Sequence, residues 1–187
     1  MKKFLFAALL VMIPCMLKAQ TKSGIRYRGS VGLSAGVTAV IPVGVTIEDT
    51  KYASITSYVE TVHGIEFNNA ATVGVGIAGG PHLHSKLDDY NQIVPGLDFF
   101  LHFDYAFLQG KKVRPVLGTR AGYALSETIA GPHIDAGFGM RIKDQWDLGI
   151  WYRPTIGVLP SDRVDIGHSL YLAFAWRFPG YKKARNK

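Results

Sequence analysis

The alternation of residue types between Leu97 and Phe107 limits the possible folds of this chain more than any other feature. Side chains of a β-strand point alternately to opposite faces, so the stretch LDFFLHFDYAF has one face that is entirely apolar. The opposite face carries Asp98, His102 and Asp104. A soluble sheet would bury the apolar face, whereas a barrel in a lipid bilayer turns that face outward and encloses the polar one.

Strand-like segments recur along the chain, and turn-forming residues such as Asn68-Asn69 and Gln109-Gly110-Lys111 separate them. No segment after residue 20 has the roughly 20 apolar residues that a membrane helix needs. The sequence therefore predicts an all-β chain, an eight-stranded antiparallel up-and-down transmembrane β-barrel. Its strands are predicted at 25–37, 55–67, 72–78, 97–107, 113–125, 132–141, 147–153 and 168–178.

The predicted connections alternate in length along the chain. Those near 68–70, 108–112 and 142–146 are short, that at 126–131 is intermediate, and those near 38–54, 79–93 and 154–167 are long. Membrane barrels have short periplasmic turns and longer outer loops. The sequence therefore predicts outer loops at 40–54 and 79–93 that could contact a surface ligand or another protein.

Charges of both signs fall on the faces that would line the barrel interior. Arginines and acidic residues there are nearly balanced, and an eight-stranded barrel is only wide enough for side chains to fill its interior. We expect a packed network of ion pairs, with room for it left by glycines on the same faces. The candidate lumen charge network is Arg26, Arg28, Glu60, Glu66, Asp98, His102, Asp104, Arg120, Asp135, Arg141, Arg153 and Arg177.

The second strand does not fit this scheme fully. If Glu60 and Glu66 point inward, Thr61 and His63 point outward, which is unusual on a surface that faces lipid. Either His63 lies near the membrane boundary or a β-bulge shifts the register.

The chain begins with a segment typical of secretory signal peptides. Two lysines precede an apolar run from Phe4 to Leu17, and cleavage is predicted after residue 19, with cleavage after residue 20 as an alternative. Cys15 raises the alternative of lipoprotein processing, but Pro14 fits poorly beside a lipidated cysteine. Residues 20–178 are the predicted barrel domain, and residues 179–187 form a basic tail that is either solvated or in contact with anionic lipid or cell-wall polymer. We expect no nucleic-acid partner.

Two groups of residues could indicate catalysis or metal binding. His168 and Ser169 resemble a nucleophile and base, but neighbouring residues of a strand point to opposite faces. His82 and His84, followed by Asp88 and Asp89, could hold a metal ion from a loop, although an exposed polar loop explains them equally well. We expect no enzymatic activity, no cofactor and no metal.

Three segments resemble a known family. They are Thr61-Val62-His63-Gly64 with Phe67-Asn68, the glycines 74, 76, 79 and 80, and the closing strand Ser169–Phe178. The chain resembles the small porin-like outer-membrane β-barrels abundant in the Bacteroidetes, which are related in architecture to OmpA- and OmpX-type barrels. One departure is that nine residues follow Phe178, whereas many such barrels end at this aromatic residue.

The resemblance implies a location in the outer membrane, contact with its lipids including lipopolysaccharide, and assembly by the barrel assembly machinery. The function expected is a structural or surface-interaction role of the outer loops, with an interior that is packed and not an open pore. Two alternatives remain. One is a narrow ion or small-solute channel, and the other is a soluble periplasmic barrel that carries an apolar ligand.

Overall fold

The computed structural model describes residues 24–42, 52–86, 92–126, 130–158 and 164–178. Each strand pairs with the next in antiparallel orientation, and β8 pairs with β1, so that the sheet closes into a barrel. The predicted eight-stranded antiparallel barrel is confirmed. The strands are β1 (Ile25–Pro42), β2 (Tyr52–Phe67), β3 (Ala71–Lys86), β4 (Gln92–Ala106), β5 (Val113–Ser126), β6 (Gly131–Ile142), β7 (Trp146–Val158) and β8 (Val164–Arg177).

Within the described ranges, no helix has the length and apolar character required to cross a membrane. The predicted signal peptide at 1–19 and the basic tail at 179–187 lie outside the described residues.

The loops predicted at 40–54 and 79–93 are too long, because strands β1 to β4 extend into both ranges. Strand β3 continues through Gly79, Gly80 and Pro81, because the ladder with β2 persists beyond them and pairs Leu83 with Ile55. Glycine and proline are reliable signals of strand ends in soluble sheets, but a closed barrel holds each strand between two neighbours. The remaining connections, 43–51, 87–91 and 159–163, lie outside the described residues.

Three tight turns lie together at one end of the barrel, here called the short-turn end. Asn68 and Asn69 both have positive φ, and the Ala70 amide donates to the Phe67 carbonyl at 2.9 Å. Lys143 and Asp144 repeat this geometry between β6 and β7. Two consecutive residues of positive φ form the mirror-image turn whose twist matches that of paired strands.

The distribution of side chains is the reverse of that in a soluble domain. Most outward residues of the eight strands are apolar and exposed, as illustrated by Leu101, Ile150 and Leu172. Inward residues include charged side chains such as Glu66 and Arg141, which have no exposed surface. Soluble proteins almost never bury so many charges while exposing so much apolar surface. This arrangement is that of a barrel with lipid on its outside.

Inward glycines make space for large rings within the barrel. An added Cβ atom at Gly137 would lie 2.3 Å from the ring of Trp151, and one at Gly118 would lie 2.5 Å from it. The ring of Phe100 occupies the corresponding space above Gly76. The expectation that the glycines leave room inside the barrel therefore agrees with the position of these rings.

Candidate functional site

The candidate network occupies the barrel interior in three clusters that follow one another along its axis. All twelve predicted residues lie on inward faces, and only Arg26, with 27% of its side chain exposed, is far from full burial. The clusters are described from the short-turn end upward.

Glu66 is the centre of the first cluster. Its carboxylate accepts hydrogen bonds from Arg26 Nε at 2.8 Å, Arg28 Nε at 2.9 Å and Arg177 Nη2 at 3.0 Å. Arg177 also donates to the hydroxyl of Thr72. One buried carboxylate thus joins β1, β2 and β8, the strands at which the barrel closes, and charged hydrogen bonds are stronger than neutral ones.

Arg141 extends this first cluster to the other side of the barrel. It donates to Asp147 Oδ1 from Nε at 2.8 Å and to Asp104 Oδ1 from Nη2 at 3.0 Å. His102 Nε2 lies 3.0 Å from the other oxygen of Asp104. The four residues link β4, β6 and β7.

The middle cluster is a single ion pair across the lumen. Arg120 on β5 donates to both oxygens of Glu60 on β2, at 2.8 and 2.9 Å. Its guanidinium lies over the rings of Trp151 and Phe100, at 4.2 and 4.6 Å from their centroids. The two aromatic rings and the two hydrogen bonds to Glu60 replace the contacts with water that the Arg120 guanidinium loses when it is buried.

The third cluster lies toward the opposite end and is centred on Asp135. This carboxylate accepts hydrogen bonds from Arg153 at 2.8 and 2.9 Å and from the Tyr171 hydroxyl at 2.6 Å. The two ring nitrogens of His133 lie 2.6 Å from Asp135 and 2.8 Å from Asp98. The imidazole therefore bridges two buried carboxylates, and Arg153 also lies 2.7 Å from Asp98.

The sequence prediction missed six residues of these clusters, namely Asp147, His133, Tyr171, Thr72 and the aromatic partners Trp151 and Phe100. The alternation within their strands places all of them on inward faces, so the signal was present. The predicted set consisted of eleven charged residues that the alternation places on inward faces, with His102 added. Arg114 was missed too; it is buried near the turns, donates to the Asn69 carbonyl at 2.6 Å and pairs with Asp144.

The space left between the clusters is small. A cavity of about 60 Å³ lies in the short-turn half and is lined by residues of the first and middle clusters, including Arg120, Asp104 and Arg177. A second cavity of about 20 Å³ lies nearer the other end, against Arg153 and Tyr171. Since each buried water needs roughly 10–15 Å³ of such volume, these cavities have room for a few water molecules.

The structure accounts for the outward position of His63. The register between β1 and β2 is regular and pairs His63 with Gly29, so no bulge is present there. The imidazole contacts the hydroxyl of Tyr27 and lies 3.0 Å from the hydroxyl of Thr61. His63 therefore has polar partners near the short-turn end, which agrees with a position close to a membrane boundary.

Aromatic side chains of the outer surface lie toward the two ends. Tyr152 and Tyr123 are exposed on the half opposite the turns, whereas Phe67 and Phe107 are exposed beside the turns. Tyr27 and Phe178 lie beside the turns too, as do the packed rings of Trp146, Phe174 and Trp176. Aromatic residues at both lipid–water boundaries are typical of membrane barrels.

The residues that suggested catalysis or metal binding are separated. His168 contacts the hydroxyl of Tyr152 on the outside, at 2.6 Å, while Ser169 contacts the hydroxyl of Thr38 inside, at 2.8 Å. His82 lies inside the barrel against the Tyr58 hydroxyl, and the side chain of His84 and residues 88 and 89 lie outside the described part. No group of three or more metal-ligating side chains occurs among the described residues.

The fold and the arrangement of its side chains define a transmembrane β-barrel of eight strands. Comparison with models of protein families finds no match, and no curated protein matches the sequence. Among solved structures, Neisserial surface protein A is similar, with a TM-score of 0.52 and 13% identity over 80% of this chain and 97% of that chain. A likeness at this identity shows the fold alone.

Two further solved structures are similar to this chain. Ail, the attachment invasion locus protein of Yersinia pestis, has a TM-score of 0.46 and 14% identity over 82% of this chain and 99% of that chain. The outer membrane protein OprG from Pseudomonas aeruginosa has a TM-score of 0.46 and 12% identity over 84% of this chain and 97% of that chain.

Proposed function

We propose that this chain is an integral outer-membrane β-barrel that holds surface loops for contact with a ligand or another protein, and that its interior is packed and not an open pore. The observation that supports this best is the apolar exterior of all eight strands around an interior of paired charges. Closed pairing of the strands satisfies the backbone within lipid, as a membrane-spanning sheet requires.

The loops are proposed to act from the end opposite the tight turns. Connections 43–51 and 87–91 leave the barrel at that end, and short turns of membrane barrels face the periplasm. A surface polysaccharide or a protein is the partner class we propose for them. Lipids of the outer membrane including lipopolysaccharide, the barrel assembly machinery and, for the basic tail, anionic lipid are further proposed partners.

A narrow channel and a soluble carrier of an apolar ligand are the two alternatives to this role. Small cavities lined by paired charges speak against free passage of solutes, and a polar interior speaks against an apolar ligand inside the barrel. Conductance of purified protein in planar bilayers tests the first point. Steady ion conductance that changes when Arg120 or Asp104 is neutralised would favour the channel.

Membrane insertion is tested by electrophoresis of detergent-extracted outer membranes with and without boiling in SDS. We expect the unboiled protein to migrate faster and to merge with the slower band on heating, because a closed barrel resists SDS. Release of the protein by osmotic shock without detergent, and no shift on heating, would contradict insertion and favour the soluble carrier.

The loop role is tested by replacing residues 43–51 and 87–91 with two-residue turns in otherwise unchanged cells. We expect the double replacement to lose binding of the surface ligand while the protein keeps its heat-dependent migration. A matched control shortens 127–130, between β5 and β6, which the proposal does not involve. Full retention of every binding phenotype after both replacements would refute the loop role.

A further inference from the structure

Several nitrogen atoms around the short-turn cavity are buried and have no hydrogen-bond partner. Within the described chain they are Arg120 Nε, Arg141 Nη1, Arg177 Nη1 and His102 Nδ1. Arg120, Arg177 and His102 line the cavity, and Arg141 binds Asp104 and Asp147, which line it too. A guanidinium nitrogen can only donate. At least three donors are therefore unmatched in this half of the barrel.

Each oxygen of the neighbouring carboxylates already accepts a hydrogen bond from another group, and none of them reaches the unpartnered nitrogens. Arg120 occupies both oxygens of Glu60, and three arginines occupy those of Glu66. Arg141 and His102 occupy one oxygen each of Asp104, and Arg141 contacts both oxygens of Asp147. What the cavity lacks is thus a further acceptor of hydrogen bonds.

The charges of this half show the same imbalance. Its described ionic groups are five arginines, 26, 28, 120, 141 and 177, against the four carboxylates Glu60, Glu66, Asp104 and Asp147. Arg114 has its own partner in Asp144. The surplus charge of this half belongs to Arg26, which is 27% exposed and outside the cavity, whereas three arginines (28, 120 and 177) and three carboxylates (Glu60, Asp104 and Asp147) line the cavity itself. What is unmatched at the cavity is therefore its hydrogen-bond donors, and a buried donor is unfavourable without an acceptor.

We propose that the short-turn cavity binds one small monovalent anion, of which chloride has the appropriate size. The volume of about 60 Å³ admits a monatomic ion with a water molecule or two. Its charge would cancel the surplus of this half, whereas a divalent anion would reverse it. The unpartnered groups of Arg177 and Arg120, which line the cavity, would donate to the ion. This proposal is independent of the role of the loops.

The experiment uses the full barrel refolded in detergent and bromide as a probe for chloride. Anomalous diffraction locates bromide in crystals, and broadening of the chloride NMR line, reversed by bromide, gives the affinity. We expect one bromide in the cavity within hydrogen-bond distance of Arg177 or Arg120. Water alone at this position would overturn the proposal.

Two variants change the affinity in opposite directions. Arg177→Gln removes one positive charge and a donor at the cavity, and we expect about tenfold weaker binding, equivalent to the loss of one charged hydrogen bond. Asp147→Asn adds one unit of net positive charge, and we expect tighter binding. Lys143→Gln, at the exposed turn, is the control and should bind as the native chain does.

The heat-dependent migration of each variant shows whether it has folded. If Arg177→Gln fails to fold, the halide affinity of Asp147→Asn alone tests the proposal. The Asp147 side chain is 29% exposed, so its substitution is better tolerated. Unchanged halide affinity in folded Asp147→Asn, or in folded Arg177→Gln, would overturn the proposal.

Discussion

Charged residues of the three clusters persist inside this barrel because each has a partner of opposite charge within reach. The bidentate pair of Arg120 and Glu60 spans the lumen between β5 and β2, and both side chains are buried. Removal of one partner of such a pair leaves a desolvated charge, which is far less favourable than the pair itself. Substitution of a buried charged residue of the network should therefore lower the free energy of unfolding much more than substitution of an exposed one.

Glu60→Gln is predicted to lower the free energy of unfolding by about 3 kcal/mol, because it leaves Arg120 buried without a counter-charge. Urea unfolding of the barrel in phospholipid vesicles measures this. The control is Asp144→Asn, whose side chain is 46% exposed, so that water can replace it and the loss should stay below about 1 kcal/mol. Equal losses in the two variants would mean that the Arg120–Glu60 pair is solvated.

Gly137→Ala is predicted to destabilise the barrel by about 1–3 kcal/mol, because the new methyl group would collide with the Trp151 ring. Gly79→Ala is the control, since an added Cβ atom there meets its nearest neighbour at an ordinary 3.6 Å. The midpoints of urea unfolding compare the two. A stable Gly137→Ala barrel would indicate that Trp151 can move out of the lumen.

Alternation along single strands is enough to place network residues on the inward face, but it cannot pair them. Arg177 and Glu66 are 111 positions apart, and Arg120 and Glu60 are 60 apart. Their contacts depend on closure and on the stagger of all eight strands, which no local pattern contains. The histidine between Asp98 and Asp135 was missed for the same reason, since its importance comes from two strands at once.

At the level of elements, the turns were easier to predict than the far ends of the strands. Asn68-Asn69 and Lys143-Asp144 mark turns by residue type, and the structure places both in the left-handed region. At the opposite end of the barrel, strands were predicted to stop at glycine and proline, as at Gly79 to Pro81. The strands continue past these residues, since pairing with β2 and β4 continues there. Tertiary pairing thus overrode a local signal.

Lys143→Asn is predicted to raise the free energy of unfolding by about 0.5–1 kcal/mol, because asparagine tolerates the left-handed backbone better than lysine does. Lys143 has φ of 50°, whereas the nearby surface residue Lys112 has no positive φ. Lys112→Asn removes the same charge and is the control, with little change expected. Comparable gains in both variants would assign the effect to charge and not to backbone conformation.

For the whole molecule, the decisive property is that the apolar surface surrounds the closed sheet. In water, an exposed apolar residue is unimportant for stability, but in a bilayer the same position faces hydrocarbon. Leu101 and Leu108 are examples of a position that faces hydrocarbon and a position that faces water. They are 64% and 63% exposed, yet Leu101 lies in the outward face of β4 and Leu108 in the turn that follows it.

Leu101→Arg is predicted to lower the stability of the barrel in lipid vesicles by about 2–4 kcal/mol, as expected for arginine deep in the bilayer. Leu108→Arg introduces the same charge at the same exposure outside the lipid and should change stability by less than about 0.5 kcal/mol. Unfolding by urea and the fraction inserted into vesicles measure both. Since the two positions are equally exposed and receive the same charge, similar values for the two variants would mean that the outer surface of this barrel faces water.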